Sequence, residues 1–322
     1  MNTDKNYFES RREVKWCPGC GNYSILMSMQ KTLFSLGLKN EKIVFISGIG
    51  CSGRFPYYIN TYGFHTLHGR APAVATGLKL MRPDLTVWIV VGDGDAFSIG
   101  LNHIIHLIRR NININILFIN NKIYALTKGQ YSPTSDEKSI TKSSPYGSIE
   151  NPINPLSIVL NSGCAFVARA IDTDHKNLKI IIENAMENNG TSFIEVLQNC
   201  NVFNNQIYNE VSDKNTREEK VLHLKNRNLL EFGEKDKYIL TLSDDLTFNK
   251  IKSNEKEKIK FNTIHNTENE NILQLMLAKL PYNNTPYPTG IFRNMKKETY
   301  EERFKNNTYE SKKIKTINDL FY

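Results

Sequence analysis

Two short polar motifs have the residue types and spacing of a magnesium and diphosphate site: GDGD at residues 92–95 and NN at residues 120–121. GDGD follows the apolar run TVWIVV, and the asparagines end the next apolar run, INILFIN. Parallel strands joined by a helix bring their carboxyl ends together, so Asp93 and Asn121 could both give oxygen ligands to Mg²⁺. The glycines of GDGD would let backbone approach a phosphate closely. GDG alone is more typical of a tight turn, and its pairing with NN favours the functional interpretation.

Four of the five cysteines lie where they could bind one metal centre. Cys17 and Cys20 form a CxxC in WCPGCGN, Cys51 follows the predicted strand KIVFIS, and Cys200 follows the predicted strand TSFIEVLQ. Four thiolates at one sheet edge could hold zinc or an iron–sulfur cluster, and geometry alone does not separate the two. A neighbouring site that releases electrons would favour the cluster, because zinc has no redox chemistry. Cys164, in the apolar stretch GCAFVARA, is predicted to be a core residue.

These motifs require a parallel sheet that carries them at its carboxyl edge. β-Branched runs predict strands at residues 42–47, 86–91, 114–120 and 191–198. Helical patterns lie between them, at residues 23–38, 71–81 and 100–110, and a Ser-, Thr- and Pro-rich segment at 130–155 is predicted to be a long loop or lid. The pattern is that of an α/β fold, a doubly wound parallel sheet with a polar C-terminal appendage. We expect residues 1–205 to form the cofactor-binding domain and residues 206–322 an extension that contacts a partner.

Composition excludes several classes of protein. The 322 residues are 40% hydrophobic and 23% charged, which is typical of a globular chain. The formal net charge of +8 invites a nucleic-acid interpretation, but Lys and Arg concentrate in the last hundred residues and interleave with Glu, as in a solvated basic tail. The first residues contain no apolar leader, and no apolar run reaches the length of a membrane span. We therefore expect a cytoplasmic protein that binds neither nucleic acid nor membranes.

Several longer segments resemble the β subunit of 2-oxoacid:ferredoxin oxidoreductases, from about residue 16 to residue 204. They are WCPGCGN, GIGCSGRFPYY, FHTLHGRAPAVATGLKL, GDGDAFSIGLNHIIHLIRRN and NNKIYALTKGQYSPTS. The resemblance implies a pyrophosphate-type thiamine-diphosphate-binding fold. It also implies oxidative decarboxylation of a 2-oxoacid with coenzyme A, or the reverse carboxylation, with electrons passing to ferredoxin. An α subunit carrying the pyrimidine-binding domain would be required as a partner.

The resemblance also implies a role for individual residues. Magnesium would be bound by Asp93, Asn121 and the backbone carbonyl of Ile123. A [4Fe–4S] cluster would be bound by the four cysteines at positions 17, 20, 51 and 200. The residues expected to contact thiamine diphosphate are Ile49, Gly50, Cys51, Ser52, His68, Gly94, Asp95, Ala125 and Leu126.

Substrate recognition is assigned to Arg54 and Leu126. An arginine beside the Cys51 loop could bind a distal carboxylate through two hydrogen bonds, which favours 2-oxoglutarate over pyruvate. A pyruvate-specific or broad-range member of the same family stays open as an alternative. So do a non-redox thiamine decarboxylase with structural zinc, and a basic nucleic-acid-binding protein with a zinc module that would leave GDGD and NN without a role.

Overall fold

The computed structural model of the protein describes residues 7–254, 263–281 and 286–311. The strands are β1 (Ile43–Ser47), β2 (Tyr62–His65), β3 (Thr86–Gly92), β4 (Asn115–Asn120), β5 (Phe166–Ile171), β6 (Ser192–Leu197), β7 (Val221–Leu224), β8 (Glu231–Phe232), β9 (Tyr238–Leu242), β10 (Phe248–Lys252) and β11 (Tyr287–Asn294). The helices are α1 (Gly21–Ser35), α2 (Phe55–Tyr58), α3 (Ala71–Met81), α4 (Asp93–Phe97), α5 (Leu101–Arg110), α6 (Pro155–Asn161), α7 (His175–Glu187), α8 (Asn209–Ser212), α9 (Lys214–Lys220), α10 (Ile272–Ala278) and α11 (Tyr300–Ser311). Within these described ranges, no helix is long and apolar enough to cross a membrane.

The main sheet has eight strands in the order β2-β1-β3-β4-β6-β5-β11-β7. The strands from β2 to β5 in this order are parallel, whereas β11 runs antiparallel to β5 and parallel to β7. β1, β4, β5 and β6 are buried along their whole length. Strands of this kind are covered on both faces, as in other parallel sheets.

Two hydrophobic cores lie on opposite faces of the sheet, because successive side chains of a strand point in opposite directions. On one face Val87 and Ile89 of β3 pack in a core with α3, α5, α6 and α10. On the other face Trp88 and Val90 pack in a core with α1, α2 and α7. The prediction of a doubly wound, mostly parallel sheet is confirmed.

The predicted strands at 42–47, 86–91, 114–120 and 191–198 correspond to β1, β3, β4 and β6, and the predicted helices correspond to α1, α3 and α5. α1 begins two residues before and ends three residues before the prediction. Gly37 explains the early end, since it adopts φ of +65° and its N–H donates to the carbonyl of Phe34, 3.0 Å away. Residues 130–154 contain no helix or strand, in agreement with the predicted loop.

The C-terminal part of the chain is not wholly an appendage. β7 and β11 extend the main sheet, and Gly290 of β11 pairs with Arg169 of β5. Only β8, β9 and β10 form a separate, antiparallel sheet among the described strands. The predicted boundary at residue 205 stays a prediction, but residues beyond it help to close the sheet that carries the site.

Candidate active site

A cavity of about 300 Å³ lies at the carboxyl ends of β1, β3 and β4. Most of its lining comes from segments that are far apart in sequence and that follow these strands. The lining includes every residue predicted to bind thiamine diphosphate or magnesium: Ile49, Gly50, Cys51, Ser52, His68, Asp93, Gly94, Asp95, Asn121, Ile123, Ala125 and Leu126. We call this space the cofactor cavity; the individual role of each residue stays a prediction.

Asp93, the first residue of α4, is buried beside the cavity. Its Oδ2 accepts hydrogen bonds from Oγ of Ser132 at 2.5 Å and from Oγ1 of Thr134 at 2.8 Å. Burial raises the pKa of Asp93 to about 6, although these two hydrogen bonds act in the opposite direction. The carboxylate would therefore gain from a nearby cation. The sequence analysis did not predict that Ser132 and Thr134 contact Asp93. Their position in the Ser- and Thr-rich run YSPTS was the one feature that could have indicated it.

The end of β4 is fixed by hydrogen bonds to other parts of the site. Oδ1 of Asn121 accepts from the N–H of Ile123 at 3.2 Å, which places the predicted amide and carbonyl ligands in one tight turn. Lys122, between them, adopts φ of +55°. The Asn120 side chain points elsewhere, because its Nδ2 donates to Oε1 of Glu195 at 2.8 Å and its Oδ1 accepts from the N–H of Lys122 at 3.2 Å. Asn121, rather than Asn120, is thus the asparagine that lines the cavity.

Asp95 connects the loops after β1 and β2. Its Oδ1 accepts from the N–H of Gly69 at 2.8 Å and from the N–H of Ile49 at 3.1 Å, and Nδ1 of His68 lies 2.6 Å away. Its Oδ2 is buried and has no hydrogen-bond partner. These contacts hold Ile49 and His68, two predicted cofactor residues, at one wall of the cavity.

Two glycines leave room for this arrangement. A Cβ at Gly48 would lie 1.8 Å from Oδ2 of Asp95, and a Cβ at Gly94 would lie 2.0 Å from Cε1 of Tyr124. The Tyr124 hydroxyl donates to the carbonyl of Gly94 at 3.1 Å, so ring and backbone are in direct contact. Any larger residue at either position would displace a side chain that shapes the cavity.

The four predicted cluster ligands, Cys17, Cys20, Cys51 and Cys200, line a second cavity of about 150 Å³, here called the cysteine cavity. The CPGC segment forms a turn in which the N–H of Cys20 donates to the carbonyl of Cys17 at 3.1 Å, and Gly19 adopts φ of +78°. Asn201, next to Cys200, donates from Nδ2 to the carbonyl of Pro18 at 2.5 Å. The turn and the loop after β6 are therefore held together around the cavity.

The thiols of this cavity are unpaired cysteines that share one environment. Burial raises the pKa of Cys20 to about 12 and that of Cys51 to about 11, and the neighbouring cysteines add to both shifts. The four thiols line one cavity, and within the described residues no group of three or more His, Cys, Asp or Glu side chains is arranged to hold a metal ion. Cys164 lies outside this group and is fully buried, as predicted for a core residue.

Arg54 lines the cysteine cavity and not the cofactor cavity. Its Nη1 donates to the carbonyl of Lys15 at 3.2 Å, and its charge lowers the pKa of Cys51 against the larger effect of burial. Leu126, the other predicted substrate residue, lines both cavities, so the two residues line one cavity together only at the sulfur site. The substrate role of Arg54 stays a prediction, and its position favours the sulfur site.

The two cavities share one wall, made of Cys51, Asn121, Ala125 and Leu126. Leu126 is 46% exposed, so this wall is open at one side. A group bound in the cofactor cavity would therefore lie directly beside a group bound by the cysteines. Chemistry in one cavity could exchange electrons with the other without a long path.

A sequence model for the thiamine pyrophosphate enzyme C-terminal domain, which binds thiamine pyrophosphate, matches residues 48–196. These residues include the loops that form most of the cofactor cavity, from Ile49 to Leu126. The match identifies the segment as a thiamine-diphosphate-binding domain.

Full-length relatives extend the comparison. The chain is 45% identical to 2-oxoglutarate oxidoreductase subunit KorB of Mycobacterium tuberculosis over 92% of its own length and 79% of that protein. It is 45% identical to the β subunit of 2-oxoacid:ferredoxin oxidoreductase of Saccharolobus solfataricus over 62% of its length and 66% of that protein. A solved 2-oxoglutarate:ferredoxin oxidoreductase of Magnetococcus marinus, with 2-oxoglutarate, coenzyme A and succinyl-CoA bound, superposes with a TM-score of 0.76 at 31% identity, over 99% of this chain and 95% of the solved chain. Together with the cofactor cavity, these matches show that the chain belongs to the family of 2-oxoacid:ferredoxin oxidoreductase β subunits.

Proposed function

We propose that this chain is the β subunit of a 2-oxoglutarate:ferredoxin oxidoreductase. The enzyme would convert 2-oxoglutarate and coenzyme A to succinyl-CoA and CO₂, and it would pass the two released electrons one at a time through a [4Fe–4S] cluster to ferredoxin. The same centre could run the reverse carboxylation. The observation that carries the proposal is the wall shared by the cofactor cavity and the cysteine cavity.

Magnesium would be held by Asp93, Asn121 and the carbonyl of Ile123. Mg²⁺ prefers hard oxygen ligands and binds through few protein groups together with phosphate oxygens. Support comes from the buried Asp93 carboxylate, whose pKa of about 6 indicates a charge in need of a counter-ion. Thiamine diphosphate, when bound, supplies the decarboxylation chemistry, and the chain's own residues fix its diphosphate and exclude water.

The cluster would be held by Cys17, Cys20, Cys51 and Cys200. The cysteine cavity shares a wall with the cofactor cavity, where the proposed reaction releases electrons. This proximity favours an iron–sulfur cluster over zinc, because zinc has no redox chemistry. Because thiolate ligation opposes the raised pKa values of Cys20 and Cys51, cluster assembly would release protons. Thiolates of this kind persist in a reducing compartment, which supports a cytoplasmic location.

Two kinds of surface support the proposed protein partners. Strand β2 is exposed along its whole length, and Tyr62, Phe64 and Leu67 present apolar side chains to solvent there. Such a surface fits an obligate interface with an α subunit that completes the cofactor site. Arg54 and Lys128 line the cysteine cavity near exposed Cys17. Positive charge at that position would attract an acidic electron carrier such as ferredoxin.

Substrate identity rests on the 2-oxoglutarate relatives and not on Arg54, which lies at the sulfur site. A pyruvate-specific or broad-range enzyme is the alternative. Both share the reaction type, so turnover with each 2-oxoacid separates them.

The test uses the chain co-expressed with its α partner and purified without oxygen. We expect about four irons per β chain, and a visible absorption band that bleaches when 2-oxoglutarate and coenzyme A are added. Pyruvate in place of 2-oxoglutarate should bleach it far more slowly. Zinc without iron, or a band that no 2-oxoacid bleaches, would contradict the redox function and leave a non-redox thiamine enzyme.

Two variants make the test specific. Cys51→Ser should remove the band, because it removes a sulfur from the shared wall. Cys164→Ala changes a buried cysteine outside the cysteine cavity and should keep the iron and the bleaching. Equal iron loss in both variants would show that the effect comes from destabilised folding.

A further inference from the structure

Asp172 is a buried acidic residue to which neither the predicted motifs nor the family resemblance gives a role. It directly follows β5, only 2% of its surface is exposed, and it lines neither the cofactor cavity nor the cysteine cavity. Its Oδ2 accepts a hydrogen bond from the N–H of Asn199 at 3.0 Å. Within the described parts of the chain, Asp172 forms no ion pair. A carboxylate without a counter-ion is therefore held at the carboxyl end of β5.

This carboxylate lies where two of the cysteine-bearing segments meet. Asn199 immediately precedes Cys200, and its carbonyl accepts a hydrogen bond from the N–H of Gly21 at 3.3 Å. Gly21 immediately follows Cys20, and a Cβ at Gly21 would lie 1.9 Å from Oδ2 of Asp172. The oxygen thus lies against both segments. Each residue that it approaches is the chain neighbour of a predicted cluster ligand, about 3.8 Å away between Cα atoms.

Gln198 connects the surroundings of Asp172 to a sulfur atom. A Cβ at Gly21 would also lie 3.0 Å from Cγ of Gln198. Gln198 lines the cysteine cavity, and its Nε2 donates to the sulfur of Cys20 at 3.4 Å. Asp172 and Gln198 therefore pack against the same glycine, next to Cys20. The missing side chain of Gly21 leaves the room that both of them occupy.

A buried negative charge at this position would act on a cluster held by the cysteines. Reduction adds an electron to the cluster, so a nearby carboxylate disfavours the reduced state, and the repulsion is strong where water is excluded. Burial raises the pKa of Asp172 to about 6, against hydrogen bonds from the backbone N–H groups of Asn199 and Thr173. The carboxylate is therefore ionised at pH 8.

We propose that Asp172 is a positioning residue of the cluster: its carboxylate holds the Cys20 and Cys200 segments together, and its charge keeps the reduction potential of the cluster low. This inference rests on the cluster proposed above and adds to it a residue that is neither a ligand nor part of the cavity lining. A cluster of lower potential passes its electron to an acceptor more readily. The buried charge would thus favour electron transfer to the carrier.

The experiment compares three variants of the complete enzyme with its α partner. Asp172→Asn keeps an oxygen acceptor for the N–H of Asn199 and removes the charge, whereas Asp172→Ala removes both. Asp174→Asn is the matched control, since Asp174 is a partly exposed carboxylate two residues further on that caps α7 through the N–H of Asn177, and asparagine also caps helices well. For each, we would measure the iron per β chain and, at pH 8, the reduction potential of the cluster from the electron paramagnetic resonance signal of its reduced form.

We expect Asp172→Asn to keep the iron content of the wild type and to increase the equilibrium constant for one-electron reduction roughly tenfold, which raises the potential by about 59 mV. A unit charge within about 10 Å acts this strongly at an effective dielectric constant of about 20. Asp172→Ala should raise the potential similarly and also bind less iron, because the N–H of Asn199 loses its acceptor. Asp174→Asn should change neither quantity, since solvent and salt screen an exposed charge.

Several results would overturn the assignment. An unchanged or lower potential in Asp172→Asn would exclude the charge effect, and an equal rise in Asp174→Asn would show that the effect is not specific to the buried carboxylate. Full iron content in Asp172→Ala, or loss of iron in Asp172→Asn, would contradict the positioning role. Wild-type enzyme that contains no iron would instead contradict the proposed cluster, and the role of Asp172 would be refuted with it.

Discussion

The buried ion pair between Arg169 and Glu195 gives the sharpest prediction about stability. Nε of Arg169 on β5 lies 2.6 Å from Oε2 of Glu195 on β6, and each side chain is 2% exposed. The guanidinium also lies over the ring of Tyr287, 4.5 Å from its centre. We expect Arg169→Met to be severely destabilising, because it leaves the Glu195 carboxylate buried without its counter-ion.

The expected loss follows from the asymmetry of buried pairs. Removing one partner typically costs about 3–5 kcal/mol, whereas replacing both by apolar residues of similar volume is often neutral or stabilising. The double variant Arg169→Met, Glu195→Leu should therefore recover most of the lost free energy of unfolding. Recovery should fall short by about 1–3 kcal/mol, because Asn120 Nδ2 would lose its acceptor, Oε1 of Glu195.

Urea unfolding, followed by circular dichroism and by the fluorescence of buried Trp16 and Trp88, would measure both variants. A loss below about 1 kcal/mol in the single variant would refute the reasoning, since values of that size are typical of exposed pairs. A double variant no more stable than the single one would show that lost packing against Tyr287, and not the unpaired charge of Glu195, is the cause.

Three further predictions concern the metal site, the cysteine cavity and the dependence of stability on pH. Asp93→Asn should weaken magnesium-dependent binding of thiamine diphosphate by roughly 100-fold or more, the upper end for groups that support a metal ligand; an unchanged calorimetric titration would refute the assignment. Gln198 donates from Nε2 to the sulfur of Cys20 at 3.4 Å, and such bonds stabilise the more negative, reduced cluster. Gln198→Leu should therefore lower the reduction potential, by about 40 mV if the bond contributes about 1 kcal/mol for one electron, and a potential that stays constant or rises in a redox titration would contradict this. Burial lowers the pKa of His265 in the folded protein. Below about pH 6.5 the unfolded chain therefore takes up a proton at this position before the folded protein does, and the free energy of unfolding falls. His265→Gln should reduce the loss of unfolding free energy between about pH 7 and pH 5, and identical slopes for variant and wild type would show that another group titrates.

The strands and the cofactor cavity could be predicted because their signals are local. TVWIVV and INILFIN are apolar runs of strand length, and each is followed by polar residues at the strand end where parallel sheets bind ligands. Once β1, β3 and β4 are adjacent, the motifs that follow them must meet. The cysteines at positions 51 and 200 were placed by the same argument.

Other features depend on contacts between distant segments and carry no local signal. Ser132 and Thr134 read as loop residues, and only the folded chain shows that both donate to Asp93. Arg54 lies three residues after Cys51, and this spacing is compatible with either cavity. In the folded chain residues 52–54 form a 3₁₀ turn, and Arg54 lines the cysteine cavity. β11 contains Pro288 and a glycine at φ of +100° and has an irregular register, so its sequence does not resemble a regular strand.

The position of β11 in the main sheet links the C-terminal part of the chain to the cofactor cavity. β11 pairs with β5, and the carbonyl of Pro288 accepts a hydrogen bond from Nη1 of Arg169, whose Nε donates to Glu195. Glu195 accepts from Asn120, and Oδ1 of Asn120 lies 3.1 Å from Oγ1 of Thr134, which donates its hydroxyl hydrogen to Asp93. A continuous buried path thus joins the C-terminal strand to the predicted magnesium ligand. Because partly satisfied buried networks are unfavourable, displacement of β11 should disturb this path, and the C-terminal segment is best understood as part of the support of the active site.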